Sequence, residues 1–263
     1  MNRTIPLWQD TPPGFEESFC QPEPSINLYP VDHSRGAVLV LAGGGYHYKA
    51  AHEGAPVARW LNENGIFAAT LDYRVAPYHA PVPQWDALRG IQWLRKLAPE
   101  YGYQADRIGI LGFSAGGHLA ASATYLSVEL PETEDGNDFI NQNPIPDTAV
   151  LCYPVITLGR FTHEGSRINL LGEDADQTAI DRWSADQHIR DCASPAFIWH
   201  TSDDGAVPVQ NSLMLASSLA GHKIPFSLHI WPHGKHGLGL AETVPDVCRW
   251  QELAVEWLHG LGY

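Results

Sequence analysis

The chain has 263 residues, 44% of them hydrophobic, and its 30 acidic and 16 basic residues give a net charge of −14. This acidic balance argues against binding to nucleic acid or to an anionic membrane, because both partners require basic patches. The chain has no run of about 18 apolar residues, so we expect no membrane-spanning helix. Residues 1–8 lack the apolar run of a secretion signal, and the four cysteines show no C-x-x-C spacing; both features predict a cytoplasmic protein with free thiols.

Apolar runs typical of strands alternate with helical segments along the chain. Several of these runs are continuously apolar, as at 149–153, which is typical of strands covered on both faces in a mostly parallel sheet. The alternation predicts one α/β domain over residues 1–263. Strands are predicted near 26–30, 37–42, 66–72, 107–112, 148–153, 195–200 and 226–231, and helices near 54–64, 84–98, 115–127, 209–221 and 246–259.

Three glycines, Gly43 to Gly45, follow the strand predicted at 37–42. Successive glycines let the backbone approach a substrate without side chains in the way. A phosphate-binding loop would require a Gly-Lys-Ser/Thr ending, whereas this run continues with the sequence YHYK. We therefore expect the run to supply backbone N–H donors, with Gly44 and Gly45 favoured, and Tyr46 to line a substrate pocket.

A G-x-S-x-G sequence at 112–116 places Ser114 between a segment typical of a strand and one typical of a helix. A serine in that position needs a very tight turn, and the flanking glycines remove the Cβ atoms that would clash there. The turn exposes the hydroxyl and puts the N–H of Ala115 at a helix N-terminus, where negative charge is stabilised. This pattern predicts a nucleophile that attacks a carbonyl, with Ala115 as a donor to the oxyanion. The alternative is an ordinary small-residue turn that packs a helix onto the sheet.

A serine nucleophile needs a base and an acid that orients the base, and in hydrolases with this turn they follow the serine in the order acid, then histidine. The loop after the strand predicted at 195–200 carries adjacent aspartates, Asp203 and Asp204. The loop after the next predicted strand carries His233 and His236 in a glycine-rich stretch. The residue pattern by itself leaves either member of each pair open.

Thirteen histidines raise the question of a metal site. The chain has no H-E-x-x-H motif and no histidine–cysteine cluster at zinc spacing. His47 and His52 lie beside Glu53, and His233 lies three residues before His236. Both pairs fit polar lining or a catalytic group better than a set of metal ligands, so we expect neither a metal nor another cofactor.

These motifs give nearly the whole chain a resemblance to the α/β-hydrolases, and among them to small bacterial acetyl esterase and acetylxylan esterase-like carboxylesterases. The resemblance implies an α/β-hydrolase fold with a mostly parallel central sheet and helices on both faces. Such enzymes carry an aspartate four residues before the proline of a Val-Pro pair, and a histidine in a Gly-x-His-Gly stretch. The match implies that Asp204 and His236 complete a triad with Ser114, that Asp203 braces its loop, and that His233 lines the substrate pocket.

The resemblance also bears on the loops around the site. Related enzymes have His-Gly-Gly-Gly where this chain has Ala42 before its three glycines, so the backbone donors are kept and a side chain that could brace them is lost. By analogy with the fold, insertions near 129–147 and 155–194 are expected to contribute to the substrate pocket. The alternative for both insertions is a passive crossover connection.

The activity implied is hydrolysis of short-acyl esters through an acyl-enzyme, with acetyl groups on sugar hydroxyls suggested by the resemblance alone. The expected partner is a small-molecule ester such as an acetylated sugar, and the oligomeric state is left open. A peptidase of the prolyl-oligopeptidase kind shares the triad order, but such enzymes usually carry a large additional domain for which this chain has no room. A non-catalytic binding protein on the same fold would be expected to have lost a triad member, and none is missing.

Overall fold

The structure, a computed structural model, describes residues 3–133 and 138–263, and eight strands form its sheet. The strands are β1 (Thr4–Pro6), β2 (Ser25–Tyr29), β3 (Ala37–Leu41), β4 (Phe67–Asp72), β5 (Ile108–Phe113), β6 (Thr148–Cys152), β7 (Ala196–Thr201) and β8 (Phe226–Trp231). The α-helices in the described parts of the chain are α1 (Ala55–Glu63), α2 (Val82–Tyr101), α3 (Ser114–Tyr125), α4 (Glu164–Leu171), α5 (Gln177–Arg182), α6 (Gln210–Gly221), α7 (Pro245–Cys248) and α8 (Trp250–Gly260).

The strands lie in the order β1-β2-β4-β3-β5-β6-β7-β8. β2 pairs antiparallel with both β1 and β4, whereas the strands from β4 to β8 in this order run parallel. In the central register, Leu39 of β3 lies between Ala69 of β4 and Ile110 of β5. The prediction of a mostly parallel sheet is therefore confirmed. Parallel strands present their carboxyl ends at one edge, where ligand sites of such sheets are usually found.

Both faces of the sheet are covered, and β3 shows why its sequence is apolar without interruption. Leu39 belongs to a core that includes Leu88 of α2 and the apolar residues of α3. Val38, on the opposite face, belongs to a second core with Leu61 of α1 and the apolar residues of α8. Each fully buried side chain of this size contributes about 1.5–3 kcal/mol, so the two cores hold β3 and β5 firmly at the centre of the sheet.

The elements that differ from the predictions are short or weakly patterned. The strand Thr4–Pro6 was not predicted, and it is only three residues long. The helix Glu164–Leu171 was not predicted either, because only Ser166 and Leu170 of its residues are buried. The helix predicted at 246–259 is two helices, α7 and α8.

Residues 134–137 of the predicted insertion at 129–147 lie outside the described residues. Among the residues that the structure does describe, no helix has both the length and the apolar character needed to cross a bilayer.

Candidate active site

Ser114 is the first residue of α3 and follows β5 directly. Its φ is +52°, so the backbone turns sharply through the left-handed region between strand and helix. A Cβ at Gly112 would lie 2.2 Å from the carbonyl oxygen of Gly116, and a Cβ at Gly116 would lie 2.4 Å from that of Leu41. Both positions therefore require glycine, as the motif predicts, and the turn holds the hydroxyl at the carboxyl edge of the sheet.

His236 lies between Ser114 and Asp204. Its Nε2 is 2.8 Å from the Oγ of Ser114, and its Nδ1 is 2.7 Å from the Oδ2 of Asp204. Nδ1–H donates to the carboxylate, which leaves Nε2 free to accept the serine proton. Ser114 follows β5 directly, whereas Asp204 and His236 come from the loops after β7 and β8. The parallel sheet brings these three strand ends together.

The side chain of Asp204 is inaccessible to solvent and is fully hydrogen-bonded. Its Oδ1 accepts the N–H groups of Ala206 and Val207, both at 2.9 Å. Burial by itself would raise the pKa of this carboxyl, but hydrogen bonds from His200 and His236 and the charge of His236 hold it well below its ordinary value. Asp204 is therefore ionised throughout the neutral range, as a partner for an imidazolium must be.

The neighbouring pair of candidates lies outside this arrangement. The Oδ2 of Asp203 is 2.9 Å from the Nδ1 of His233, and its Oδ1 accepts the N–H of Gly234 at 2.8 Å. The His233 side chain is 86% exposed and does not line the cavity beside Ser114. The structure thus places His233 on the surface and not in the substrate pocket, because its ring turns outward to Asp203.

The glycine run lies against the nucleophile, and a Cβ at Gly43 would lie 3.0 Å from the Cβ of Ser114. Gly44 has a φ of +130° and Gly45 a φ of +64°, and a Cβ at Gly44 would lie 2.2 Å from the carbonyl oxygen of Tyr48. That crowding requires glycine at position 44. Gly44 and Gly45 line the cavity together with Ser114, and the N–H of Ala115 lies in the first turn of α3, where amides have no partner within the helix.

Tyr46 lies in the core and not in the pocket. Its side chain is fully buried, and its hydroxyl is 2.8 Å from the Nδ1 of His118. The Nε2 of His118 is 2.8 Å from the carbonyl oxygen of Trp183, so the neutral ring donates there and accepts from Tyr46. Burial lowers the pKa of His118 to about 4. The expectation that Tyr46 lines the substrate pocket therefore needs correction: the residue helps to fix the base of the glycine loop.

The cavity at Ser114 has a volume of about 350 Å³. Part of its wall comes from α4 and the residue before it, which lie within the predicted insertion at 155–194. His163, Gly165 and Asn169 of this segment line the cavity. The side chain of Asn169 donates to the carbonyl oxygen of Gly45 at 2.8 Å. The described residues of the insertion at 129–147 are not among those that line this cavity. His47 and His52, which the sequence favoured as polar lining or a catalytic group, also line the cavity. The sequence indicated no pocket role for the remaining lining residues, namely Tyr48, Ala50, Glu53 and Gly237.

Glu53 is the least expected of these residues because it is a buried carboxylate. The sequence singled it out only as a neighbour of His52 in the search for metal ligands. In the described parts of the chain, no group of three or more His, Cys, Asp or Glu side chains is arranged to hold a metal ion. Its hydrogen bonds go instead to Gly43 and Tyr153.

The sequence of the chain is similar to those of known proteins. Residues 28–219 match the model of the BD-FAE family. The endo-1,4-beta-xylanase B of Butyrivibrio fibrisolvens is 35% identical over an alignment of 242 residues that covers 89% of this chain and 38% of that protein. The acetylxylan esterase of Xylanibacter ruminicola is 32% identical over an alignment of 220 residues that covers 81% of this chain and 43% of that protein. The chain thus spans less than half the length of these two relatives.

A solved structure matches over almost the full length of both chains. The acetyl ester-xyloside bifunctional hydrolase from Caldicellulosiruptor lactoaceticus is 42% identical to this chain, with a TM-score of 0.92. The match covers 99% of this chain and 96% of that one. The carboxylesterase Cest-2923 from Lactobacillus plantarum is 23% identical with a TM-score of 0.77, a likeness of fold. The fold expected from the motifs is therefore confirmed.

Proposed function

The chain belongs to the BD-FAE family and has the α/β-hydrolase fold, and on this premise we propose that it is a serine carboxylesterase acting on short-acyl esters, chiefly acetates. The observation that carries the proposal is the continuous hydrogen-bonded series from Ser114 through His236 to Asp204, at 2.8 and 2.7 Å. A serine hydroxyl becomes a strong nucleophile only when a base removes its proton, and the base must be held in the correct tautomer. This series meets both requirements.

In the proposed reaction, the Oγ of Ser114 attacks the ester carbonyl carbon while its proton passes to the Nε2 of His236. The negative charge that develops on the carbonyl oxygen is stabilised by the N–H groups of Gly44, Gly45 and Ala115. Donors of this kind contribute about 3–4 kcal/mol each to the transition state. They are preorganised here, since two belong to a crowded glycine loop and one to a helix N-terminus.

Collapse of the tetrahedral intermediate breaks the bond to the alcohol. The imidazolium of His236 gives its proton to the leaving oxygen, and Ser114 retains the acyl group as an ester. A water molecule then loses a proton to His236 and attacks the acyl carbon, which releases the acid and restores the serine hydroxyl. Asp204 stabilises the imidazolium in both halves of the reaction without taking a proton itself.

Acetyl groups on sugar hydroxyls are the substrate class that we propose for the enzyme. Two of the similar proteins carry names that refer to acetyl esters of xylan or xylosides, and a third is named a xylanase. The cavity is lined in part by polar side chains that can donate to or accept from hydroxyl groups, among them His47, His52 and Asn169. An ester whose alcohol part is a sugar presents further hydroxyl groups to these side chains, whereas an ester of a lipid alcohol does not.

The decisive assay compares acetate release from acetylated xylo-oligosaccharides and p-nitrophenyl acetate with cleavage of a proline-containing peptide that carries no ester, each with and without a chelator. We expect turnover of both acetates, little cleavage of the peptide, and no effect of the chelator. The amine leaving group of a peptide demands stronger acid catalysis than an alcohol does. Preferential cleavage of the peptide would favour the peptidase alternative, and no hydrolysis of any substrate would favour the non-catalytic one.

A further inference from the structure

Glu53 is a buried carboxylate beside the proposed active site that the triad mechanism does not use. Its side chain is 3% exposed, yet both oxygens accept short hydrogen bonds. Oε2 lies 2.8 Å from the N of Gly43, and Oε1 lies 2.6 Å from the hydroxyl oxygen of Tyr153. A buried carboxylate is costly unless it is well paired, so its presence next to the nucleophile calls for a reason.

The contact with Gly43 acts on residues 43–45, the oxyanion loop, at a point where the loop lies against the nucleophile. A Cβ at Gly43 would lie 2.7 Å from the carbonyl oxygen of Phe113 and 3.0 Å from the Cβ of Ser114. The backbone at Gly43 is therefore wedged between β5 and the carboxylate. Because Gly44 follows directly, the hydrogen bond from Gly43 to Glu53 fixes where the loop begins to turn and so where its N–H groups point.

The contact with Tyr153 reaches the loop that carries the base. The hydroxyl of Tyr153 accepts the N–H of Gly239 at 2.8 Å, and its ring packs edge-on against the ring of His236 with centroids 5.0 Å apart. Burial and the charge of Glu53 raise the pKa of Tyr153 well above its ordinary value. The phenol therefore stays protonated and donates to Glu53 while it accepts from Gly239.

These contacts form one series from the oxyanion loop to the loop after β8, which carries His236. Gly43 donates to Glu53, Tyr153 donates to Glu53, and Gly239 donates to Tyr153. We propose that Glu53 and Tyr153 are a pair of positioning residues that hold the oxyanion donors and the base in register with Ser114. This inference rests on the proposed function, since it assigns the pair a role in that reaction.

The pair acts on the transition state and not on the binding of the ester. A displacement of about 1 Å in an active site can cost on the order of 10²-fold in rate. Loss of either hydrogen-bonding partner should therefore lower kcat while leaving KM nearly unchanged, because Glu53→Gln keeps the size of the one lining side chain of the pair and Tyr153 does not line the cavity. Loss of both should cost little more than loss of one, since each acts through the same series of contacts.

The test compares Glu53→Gln, Tyr153→Phe and the double variant with the wild-type enzyme, using kcat and KM for p-nitrophenyl acetate and the rate of labelling by a fluorophosphonate. We expect each single variant to lose roughly 10- to 100-fold in kcat and in labelling rate, with KM changed by less than about threefold. Tyr103→Phe is the matched control: it removes a buried tyrosine hydroxyl that donates to the carbonyl oxygen of Leu94, far from the site, and should keep wild-type kcat.

Thermal unfolding of each variant distinguishes a protein that fails to fold from one that folds but has a displaced active site. If Glu53→Gln does not fold, Tyr153→Phe alone decides the matter. Wild-type kcat in folded Tyr153→Phe, or losses that multiply in the double variant, would overturn the inference. Ser114→Ala in the same assays distinguishes the two proposals: retained activity there would refute the proposed function itself, whereas an inactive Ser114→Ala beside a fully active Tyr153→Phe would refute only the positioning role.

Discussion

The carboxylate of Asp204, and not that of its neighbour Asp203, meets the ring of His236, with 2.7 Å between Oδ2 and Nδ1. Asp203 points to the exposed His233 instead. Adjacent residues in a loop project in different directions, so only one of these two consecutive aspartates reaches the ring of His236. The loop geometry therefore favours one acid and one base from the two pairs in the sequence.

The first prediction uses these aspartates as a matched pair. Asp204→Asn should lower kcat by about 10⁴-fold, because an amide at this position favours the wrong tautomer of the base. Asp203→Asn should keep most of the activity, since its hydrogen bonds go to His233 and Gly234 at the surface. Steady-state kinetics of both variants provide the measurement, and a larger loss from the substitution at 203 would contradict the proposed acid.

The second prediction concerns the two histidines of the same loop. His236→Ala should be nearly inactive, because the Oγ of Ser114 then has no base within reach. His233→Ala should retain most of its turnover, as expected for a side chain that is 86% exposed. The same ester assay tests both variants, with circular dichroism as the control for folding. An active His236→Ala protein would exclude this histidine as the base.

A third prediction concerns stability and follows from the low pKa of His118, about 4 in the folded chain. The unfolded chain, with an ordinary histidine pKa of about 6.5, binds this proton more readily between those two values. Stability should therefore fall as the pH decreases from about 6.5 to about 4 and receive no further change from this group below that. The maximum loss attributable to the residue is about 3 kcal/mol.

Denaturant unfolding of His118→Gln across this pH range isolates the effect. The variant removes the titrating ring but keeps an acceptor for the hydroxyl of Tyr46, so its stability should change less with pH than that of the wild type. His259→Gln, at an exposed position on α8, is the control and should follow the wild-type curve. Identical pH dependence in the wild type and His118→Gln would show that the buried ring does not contribute.

The sequence predicted the parts of the molecule that local patterns determine. The strands of the parallel sheet are continuous apolar runs. The turn at Ser114 is marked by two glycines, Gly112 and Gly116, where a Cβ atom would clash with the backbone. Glu53 and Tyr153 escaped prediction because they are brought together from positions 100 residues apart and belong to no motif. Tyr46 was misplaced because a residue after three glycines looks like a pocket residue, whereas its backbone, with a φ of +57°, directs the side chain into the core.

A fourth prediction concerns the length of the acyl group. The cavity of about 350 Å³ must hold the acyl group and part of the alcohol, and α4 and the residue before it form part of its wall. We expect p-nitrophenyl acetate to have a kcat/KM higher than that of p-nitrophenyl octanoate by roughly tenfold or more. The shared alcohol makes the comparison one of acyl length alone, and a preference for the octanoate would contradict the short-acyl assignment.

Covalent labelling offers a direct test of Ser114 as the nucleophile. Fluorophosphonates react with serine hydroxyls activated by a base, so intact-protein mass spectrometry should show one adduct and peptide mapping should place it on Ser114. Ser114→Ala should fold normally, take up no label and lose ester hydrolysis by several orders of magnitude. A label on any other serine, or esterase activity retained in Ser114→Ala, would exclude Ser114 as the nucleophile.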